Sequence, residues 1–401
     1  MKDPCIALDV SKGKSHCQGF IAQDEPLGRA VMITHDLTGL ESLMAMKNRL
    51  LKHHERVIFV FESTGIYHKS IQSYLDERHE SYIILSPLEA AKIRKSRLRS
   101  AKTDVKDCRS IAEAYFLRDY RIHGKLDERD EKARALNRHY GFIVRQIRHL
   151  KIQFRSVLDV VFPRFDLLYE NPYRTIPFTL LKHYRHPGLI KSKRIGTIAK
   201  TLMKETTHRE AFCLAEAGKI LDYAQRTQSG CLPEQQEVII LRNLALELEK
   251  KMKEAQSVLD DLEACVKENE VYKRLMTMPG VATNLASRIT AEIGNINRFE
   301  HKKQLVAYAG TDPKIYQSGQ KTGEHLPITK KGNKHLRSLF YLAARAAVDS
   351  KKPNTIKRFY ASKTTQANPL ERNAAIIASS NKMMHVLFSL CKNHQDYRNQ
   401  A

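Results

Sequence analysis

Several features are missing from this chain. No apolar run approaches the roughly 18 to 20 residues that cross a bilayer, and the first residues show no signal-peptide pattern. The seven cysteines, at 5, 17, 108, 213, 231, 265 and 391, are scattered and include no C-x-x-C pair. That spacing speaks against a zinc site or a disulfide framework, and for buried or incidental thiols in a reducing cytoplasm. Acidic residues are outnumbered, with 44 Asp plus Glu against 68 Lys plus Arg, a formal net charge of +24. A hydrophobic content of 42% excludes general disorder, so the surplus decorates a folded surface. Such a surface attracts polyanions, nucleic acid first among them, and no membrane partner is expected. Residues 301–401 hold 18 Lys or Arg and five Asp or Glu, about half of the whole excess.

Against that scarcity four acids stand out. Asp9 lies in CIALDV, an apolar run of strand length, and Glu62 ends a second, VIFVFE. Asp104 and Asp107 stand three apart in KTDVKD, ahead of the apolar pattern Ile111, Ala112, Tyr115 and Phe116. On a helix that spacing shares one face, so both carboxylates can point at one ion. Any one of the four alone reads better as a cap or a helix-dipole partner; all four in this order reverse that reading and point to a divalent metal.

The first ~120 residues alternate strand and helix signals. CIALDV is followed by strand-like Lys14–Ala22 and Ala30–Thr34, then a helical stripe from Leu37 to Leu51. VIFVFE, a helix over about Tyr67–Glu77, SYIILSP and a basic helix near Glu89–Arg99 complete the series. This is the RNase H-like order, in which the first and fourth strands are neighbours and bring Asp9 to Glu62. Two long helices follow. One, about Leu126–Phe162, carries an apolar stripe with Arg145 and Arg148 on other faces, and Pro163 stops it. The other, about Pro233–Glu268, repeats Leu241, Leu244, Leu248, Met252, Ala255, Leu259, Leu262 and Val266, like a coiled-coil seam. Either the two stripes bury one another in a hairpin or the seam pairs two protomers. Residues 163–232 are helical in fragments, with no assignable role.

Met278-Pro279-Gly280-Val281 separates two helical patterns, Val271–Thr277 and Thr283–Ile293. A helix-hairpin-helix has this shape and uses its turn, here Gly280, to meet a phosphate; an ordinary glycine-ended turn has it too. Beyond lies a polar, Gly-rich, basic loop from Tyr308 to Asn333 that leads into an apolar helix, Leu336–Val348. Ser318, beside Gly319, is a candidate nucleophile, and Lys321, Lys330, Lys331 and Arg337 are candidate phosphate contacts. No nearby His or Asp spacing spells a conventional triad, and a lone Ser-Gly is also a common turn.

Both ends of the chain resemble the DEDD-type transposases of insertion sequences, a family of bridge-RNA-guided recombinases that includes a DNA invertase. The N-terminal likeness rests on ALDVSK with Asp9, FEST-G with Glu62 and KTDVKD with Asp104 and Asp107. The C-terminal likeness rests on MPGV, the segment from Phe299 to Gly310, YQSG with Ser318, and ITKKGNKHLR. Cys108 stands where the family usually has Ala, and Thr311-Asp312 replaces a commoner approach to the serine loop. The resemblance implies an α/β RNase H-like (RuvC-like) domain over residues 1–122, a helical linker with coiled coil over 123–270, and a mainly α transposase domain with helix-hairpin-helix over 271–401. It implies Mg2+ (or Mn2+) on the four acids, Ser318 as nucleophile, DNA as substrate, a structured guide RNA as partner, and a homo-oligomer, dimer or tetramer, in the cytoplasm. Two other functions fit the residues alone: a metal-dependent nuclease or junction resolvase using water, and a non-catalytic nucleic-acid-binding protein.

Overall fold

The computed structural model describes residues 2–62, 65–85, 104–118, 128–314, 317–318, 321–322 and 327–399; the side chains of 104–106, 317–318 and 321–322 are not among those described. The chain divides into two compact units, 1–127 and 128–401.

The first unit is built on one mixed sheet. β1 (Cys5–Ser11), β2 (Lys14–Ala22) and β3 (Glu25–Thr34) form an antiparallel meander. After α1 (Leu37–Leu51) the chain returns through β4 (Ile58–Glu62), parallel to β1, then α2 (Lys69–Glu77) and β5 (Tyr82–Leu85), parallel to β4. The strand order is β3-β2-β1-β4-β5, so the first and fourth strands are neighbours, as the element order suggests. β3 begins five residues earlier than the apolar pattern indicates. It is an edge strand, where Pro26 costs no ladder bond, and two register shifts in its pairing with β2 absorb the irregularity. The basic helix expected near 89–99 lies outside the described residues.

Side-chain alternation sorts the sheet into two cores. Ile6, Leu8, Phe59, Phe61 and Tyr82 face one way, with Leu40 and Leu43 of α1 and Ile71 and Leu75 of α2. Cys5, Ala7, Ile58, Val60, Ile83 and Leu85 face the other, under Cys108, Ile111, Ala112 and Tyr115 of α3 (Asp104–Leu117). Central parallel strands buried on both sides read as continuous apolar runs, which is why CIALDV and VIFVFE are conspicuous.

The second unit is helical. α4 (Glu128–Val161, 34 residues) and α9 (Gln236–Val266, 31 residues) lie side by side. Between them come α5 (Thr175–His183), α6 (Pro187–Lys191), α7 (Ile195–Glu205) and α8 (Glu210–Arg226). Beyond them come α10 (Glu270–Thr277), α11 (Thr283–Ile293), α12 (Lys302–Ala309), α13 (Lys334–Asp349), α14 (Thr355–Thr365) and α15 (Arg372–Lys392). The two long stripes face each other within the chain and run antiparallel. Phe154 and Leu158 share a core with Val238 and Leu241, whereas Ala133 shares another with Leu259 and Leu262. A helix of 34 residues reaches about 50 Å, and this pair joins two separate cores. The fragments between 163 and 232 thus acquire a role, since Phe178, Leu181, Ile198, Leu202 and Ile220 close the core at one end of the pair. α10 to α13 and α15 pack around the other end.

One described helix, α15, is long and apolar enough to cross a membrane by length and composition. Its Ile376, Met383, Met384 and Leu387 are instead buried in this second core, whose packing accounts for the apolarity.

Candidate active site

The acids of the first unit follow from register. Leu8 pairs with Phe61, so Asp9 and Glu62 are the next residues on neighbouring parallel strands, about 4.8 Å apart. Asp9 continues the series Cys5, Ala7, and Glu62 continues Ile58, Val60; both therefore belong to the face covered by α3. They sit at the carboxyl ends of their strands, where open α/β sheets bind ligands. α3 is held at the same level, because the Cys108 thiol donates to the His16 carbonyl at 3.1 Å and His16 is the cross-strand partner of Asp9. Asp107, next to that thiol, is 5% exposed, and Glu62 is 8% exposed. Asp104 is the first residue of α3, one turn before Asp107, and its side chain lies outside the described ones. Carboxylate oxygens are the donors that hard divalent cations take. Among the described residues no group of three or more His, Cys, Asp or Glu side chains is drawn together tightly enough to hold an ion. The register of the strands and the start of α3 place the backbones of the four acids in one region of the first unit.

The serine lies in the second unit, on a hairpin arm. β6 (Gln317–Ser318) and β7 (Lys321–Thr322) are antiparallel, with Ser318 opposite Lys321. Lower down, Pro313 bridges Ile328, Lys314 N–H donates to the Pro327 carbonyl at 3.0 Å and Thr329 N–H to the Asp312 carbonyl at 2.8 Å. The Thr329 hydroxyl adds a bond to the Asp312 carboxylate at 2.8 Å. Thr311-Asp312 therefore supplies the foot of the arm. Gly310 ends α12 in the left-handed region (φ +69°), and a Cβ there would stand 2.9 Å from the Arg337 guanidinium.

The candidate phosphate contacts are placed unequally. Lys330 and Lys331 are exposed beside the arm's foot, and Lys330 has φ +55°. Lys321 is the register partner of Ser318, with its side chain outside the described ones. Arg337 is partly buried and donates to the Ala309 carbonyl at 2.8 Å, bracing the end of α12. Arg145 and Arg148 are exposed on α4. Gly280 lies in the turn between α10 and α11 at φ +74°, where a Cβ would come within 2.3 Å of the Ala347 nitrogen. Its lack of a side chain is accounted for by this approach to α13.

Sequence reasoning missed Glu292. Fully buried on α11, it accepts from Asn137 at 2.8 Å, Asn333 at 2.6 Å and Arg138 at 3.4 Å. Asn333 also caps α13, accepting from the N–H groups of His335 and Leu336, and its own N–H donates to the Tyr308 carbonyl at 2.7 Å. The same network thus holds α4, α11 and the foot of the serine arm. A Glu inside the apolar run ITAEIG was the available signal.

Comparisons with known proteins fall on these two regions. A family profile of DEDD transposases of the IS110 type matches residues 6–163, and one described as transposase of the IS116/IS110/IS902 family matches residues 272–361. An insertion element IS116 protein of Streptomyces clavuligerus is 21% identical over 393 residues, 96% of this chain and 94% of the relative. The transposase for insertion sequence element IS1111A of Coxiella burnetii is 33% identical over 142 residues, 35% of this chain and 38% of its own. A pilin gene-inverting protein of Moraxella bovis is 24% identical over 123 residues, 31% of this chain and 37% of its own. With the two profiles in order along one chain and the likeness to the IS116 protein running nearly end to end, the chain belongs to the IS110 family of DEDD transposases, enzymes that cleave and rejoin DNA.

Proposed function

We propose that the protein moves an insertion sequence by RNA-guided recombination, with the four acids as metal ligands and Ser318 as nucleophile. The observation that carries the reading is the placement of Asp9 and Glu62 at adjacent strand ends, on the sheet face covered by the helix that bears Asp104 and Asp107. The strand order and the covering helix support an RNase H-like, RuvC-like first domain.

The donor set is all carboxylate, which suits Mg2+ or Mn2+ better than a thiolate-seeking ion. Asp9, Glu62, Asp104 and Asp107 would hold it, and when bound it would polarise a scissile phosphate. Ser318, presented on the β6–β7 hairpin opposite Lys321, attacks phosphorus. A Ser Oγ–P bond forms, the bond from phosphorus to one sugar oxygen breaks, and that oxygen leaves as a hydroxyl. A phosphodiester is thereby kept, and a second sugar hydroxyl reseals the strand by the reverse reaction. Lys321, Lys330 and Lys331 offset charge on the pentacovalent phosphorus. The reading requires acids and serine to act on the same phosphate, from one chain or from two protomers of a dimer or tetramer. A structured guide RNA would select donor and target DNA on the basic surface, in the cytoplasm, where the free thiols stay reduced.

Inversion of a DNA segment is the same chemistry with a different arrangement of sites, and the gene-inverting relative favours it as the second reading. The test is Ser318→Ala in the full chain with Mg2+, guide RNA and DNA, read on denaturing gels. The expected result is a protein–DNA adduct for the parent and none for the variant, with DNA binding retained. Strand transfer by Ser318→Ala would sink the serine mechanism, and free DNA ends without any adduct in the parent would make the enzyme a water-using nuclease.

A further inference from the structure

Several cationic side chains are gathered around Glu292. Arg138, 51% exposed, reaches it from α4. Arg288 donates to Asn137 at 3.1 Å and lies 4.8 Å from the Tyr140 ring centre. Arg298 stacks over Tyr308 at 4.3 Å, and the buried Nε of Arg134 has no hydrogen-bond partner among the described residues. Lys334 and Arg145 are exposed, and His335 is partly buried and feels the charges of both and of Glu292. The Arg145 guanidinium folds back along α4, close enough that a Cβ on Gly141 would meet it at 3.9 Å. The His335 ring is held below the ordinary imidazole range, first by burial and then by Arg138, Lys334 and Arg145, with Glu292 opposing. Clustered like charges weaken a fold by self-repulsion, and a polyanion lying across them offsets that cost.

This cluster shares its scaffold with the serine arm through Asn333, which binds Glu292, caps α13 and meets Tyr308.

We propose that Arg138, Arg145, Lys334 and His335 form a phosphate-binding track for duplex DNA, and that Glu292 positions the track. Its place beside the bond that Ser318 attacks rests on the serine reading; the track as a DNA surface does not. DNA is the occupant, because the family's enzymes cleave and rejoin DNA and the exposed members of the cluster, Arg138, Arg145 and Lys334, are all cationic.

The experiment measures binding of the full-length protein to a short duplex DNA and to a structured RNA of equal length across a salt series. Each lost phosphate contact lowers the log–log salt slope by about 0.9 for duplex DNA. Arg145→Gln should reduce the DNA slope by about one and Arg138→Gln/Arg145→Gln by about two, with the RNA slope unchanged. Arg145 is exposed and outside the Glu292 network, so its variant keeps the test valid if the double variant unfolds. An unchanged DNA slope in Arg145→Gln overturns the track, and a loss confined to RNA gives the surface to the guide instead. Ser318→Ala separates the two readings. If it still recombines while the arginine slopes fall, only the serine mechanism and the track's place beside the cut fail. If it is inactive and the slopes do not move, only the track fails.

Discussion

The two candidate halves of the active site are held in different ways. Asp9, Glu62 and Asp107 grow from the ends of a sheet and a helix whose apolar residues are packed on both faces, so backbone register alone fixes their neighbourhood. Ser318 stands on a two-residue strand at the end of an arm, and what orders it lies at the foot: Asp312 against Thr329, Asn333 against Glu292, and Asn381 donating to the Thr311 carbonyl at 3.1 Å. In the proposed reaction a metal-binding group tolerates little displacement, whereas a nucleophile that joins and releases DNA reaches toward its substrate. The acids are built into a core, and the segments on either side of the β6–β7 pair are braced by side-chain and backbone hydrogen bonds.

The sharpest way to break that comparison is to change charge without shape. Asp9→Asn and Glu62→Gln should fold normally and lose DNA cleavage by a factor on the order of 10² or more, as expected when an electrostatic partner of the transition state is removed. Cleavage assays at several Mn2+ and Mg2+ concentrations decide it. Parent-like rates in Asp9→Asn would return that residue to a purely structural role. On the serine side the matching change is at the foot. Glu292→Ala leaves Asn137, Asn333 and Arg138 without their common acceptor inside the fold. It should cost about 1–3 kcal/mol, the range for leaving a buried polar group unsatisfied. Thermal unfolding should show this, with Glu292→Gln losing less. If Glu292→Ala unfolds like the parent, the arm is not braced there.

Gly280 sharpens the contrast between packing and binding. A Cβ at that position would meet backbone atoms of α13, and φ is positive. Gly280→Ala should therefore destabilise the second unit by about 2–4 kcal/mol, combining left-handed strain with overpacking. The competing expectation, that the glycine lets a DNA phosphate approach, predicts a normally folded variant with weakened DNA affinity. Calorimetry together with a binding titration separates the two.

Legibility followed the same division. The acids could be read because each lies at the end of an apolar run or the start of a helical stripe, and period-two alternation then puts Asp9 and Glu62 on one face. The β3 start was hidden because Pro26 and Gly28 obscure an edge strand that buries little. The partner of the long stripes was ambiguous, since Leu241 and Leu248 would bury as well against a second protomer as against α4. Glu292 was marked only as an acid inside an apolar run, and its role stayed hidden because its partners, Asn137 and Asn333, are 155 and 41 residues away. No local pattern records a network closed by tertiary packing. Ser318 was legible as a motif only, because a Ser-Gly turn has no apolar periodicity to anchor it.

The smallest predicted effect concerns protons. Among the described residues four histidines are held below the ordinary imidazole value near 6.5, and burial is the leading cause in each. In the first unit, His35 owes its shift to burial alone and hydrogen-bonds Ser15 at 2.8 Å, while His68 adds only Lys69. In the second, His335 faces Arg138, Lys334 and Arg145 with Glu292 opposing, and His385 faces Lys302, Lys303 and Lys382. A depressed native pKa means that the unfolded chain takes up protons first as pH falls through about 6.5. Stability should therefore decline from there until the native rings protonate as well. Thermal midpoints at pH 7.5, 6.5 and 5.5 should fall, and His→Gln at each site should flatten the decline by something on the order of a degree. Salt then separates the units. Screening weakens the contribution of surrounding cations and leaves desolvation untouched, so high salt should reduce the flattening caused by His385→Gln, whose ring faces Lys302, Lys382 and Lys303, and spare that of His35→Gln. Equal salt sensitivity at His35 and His385 would show that burial alone holds both rings neutral.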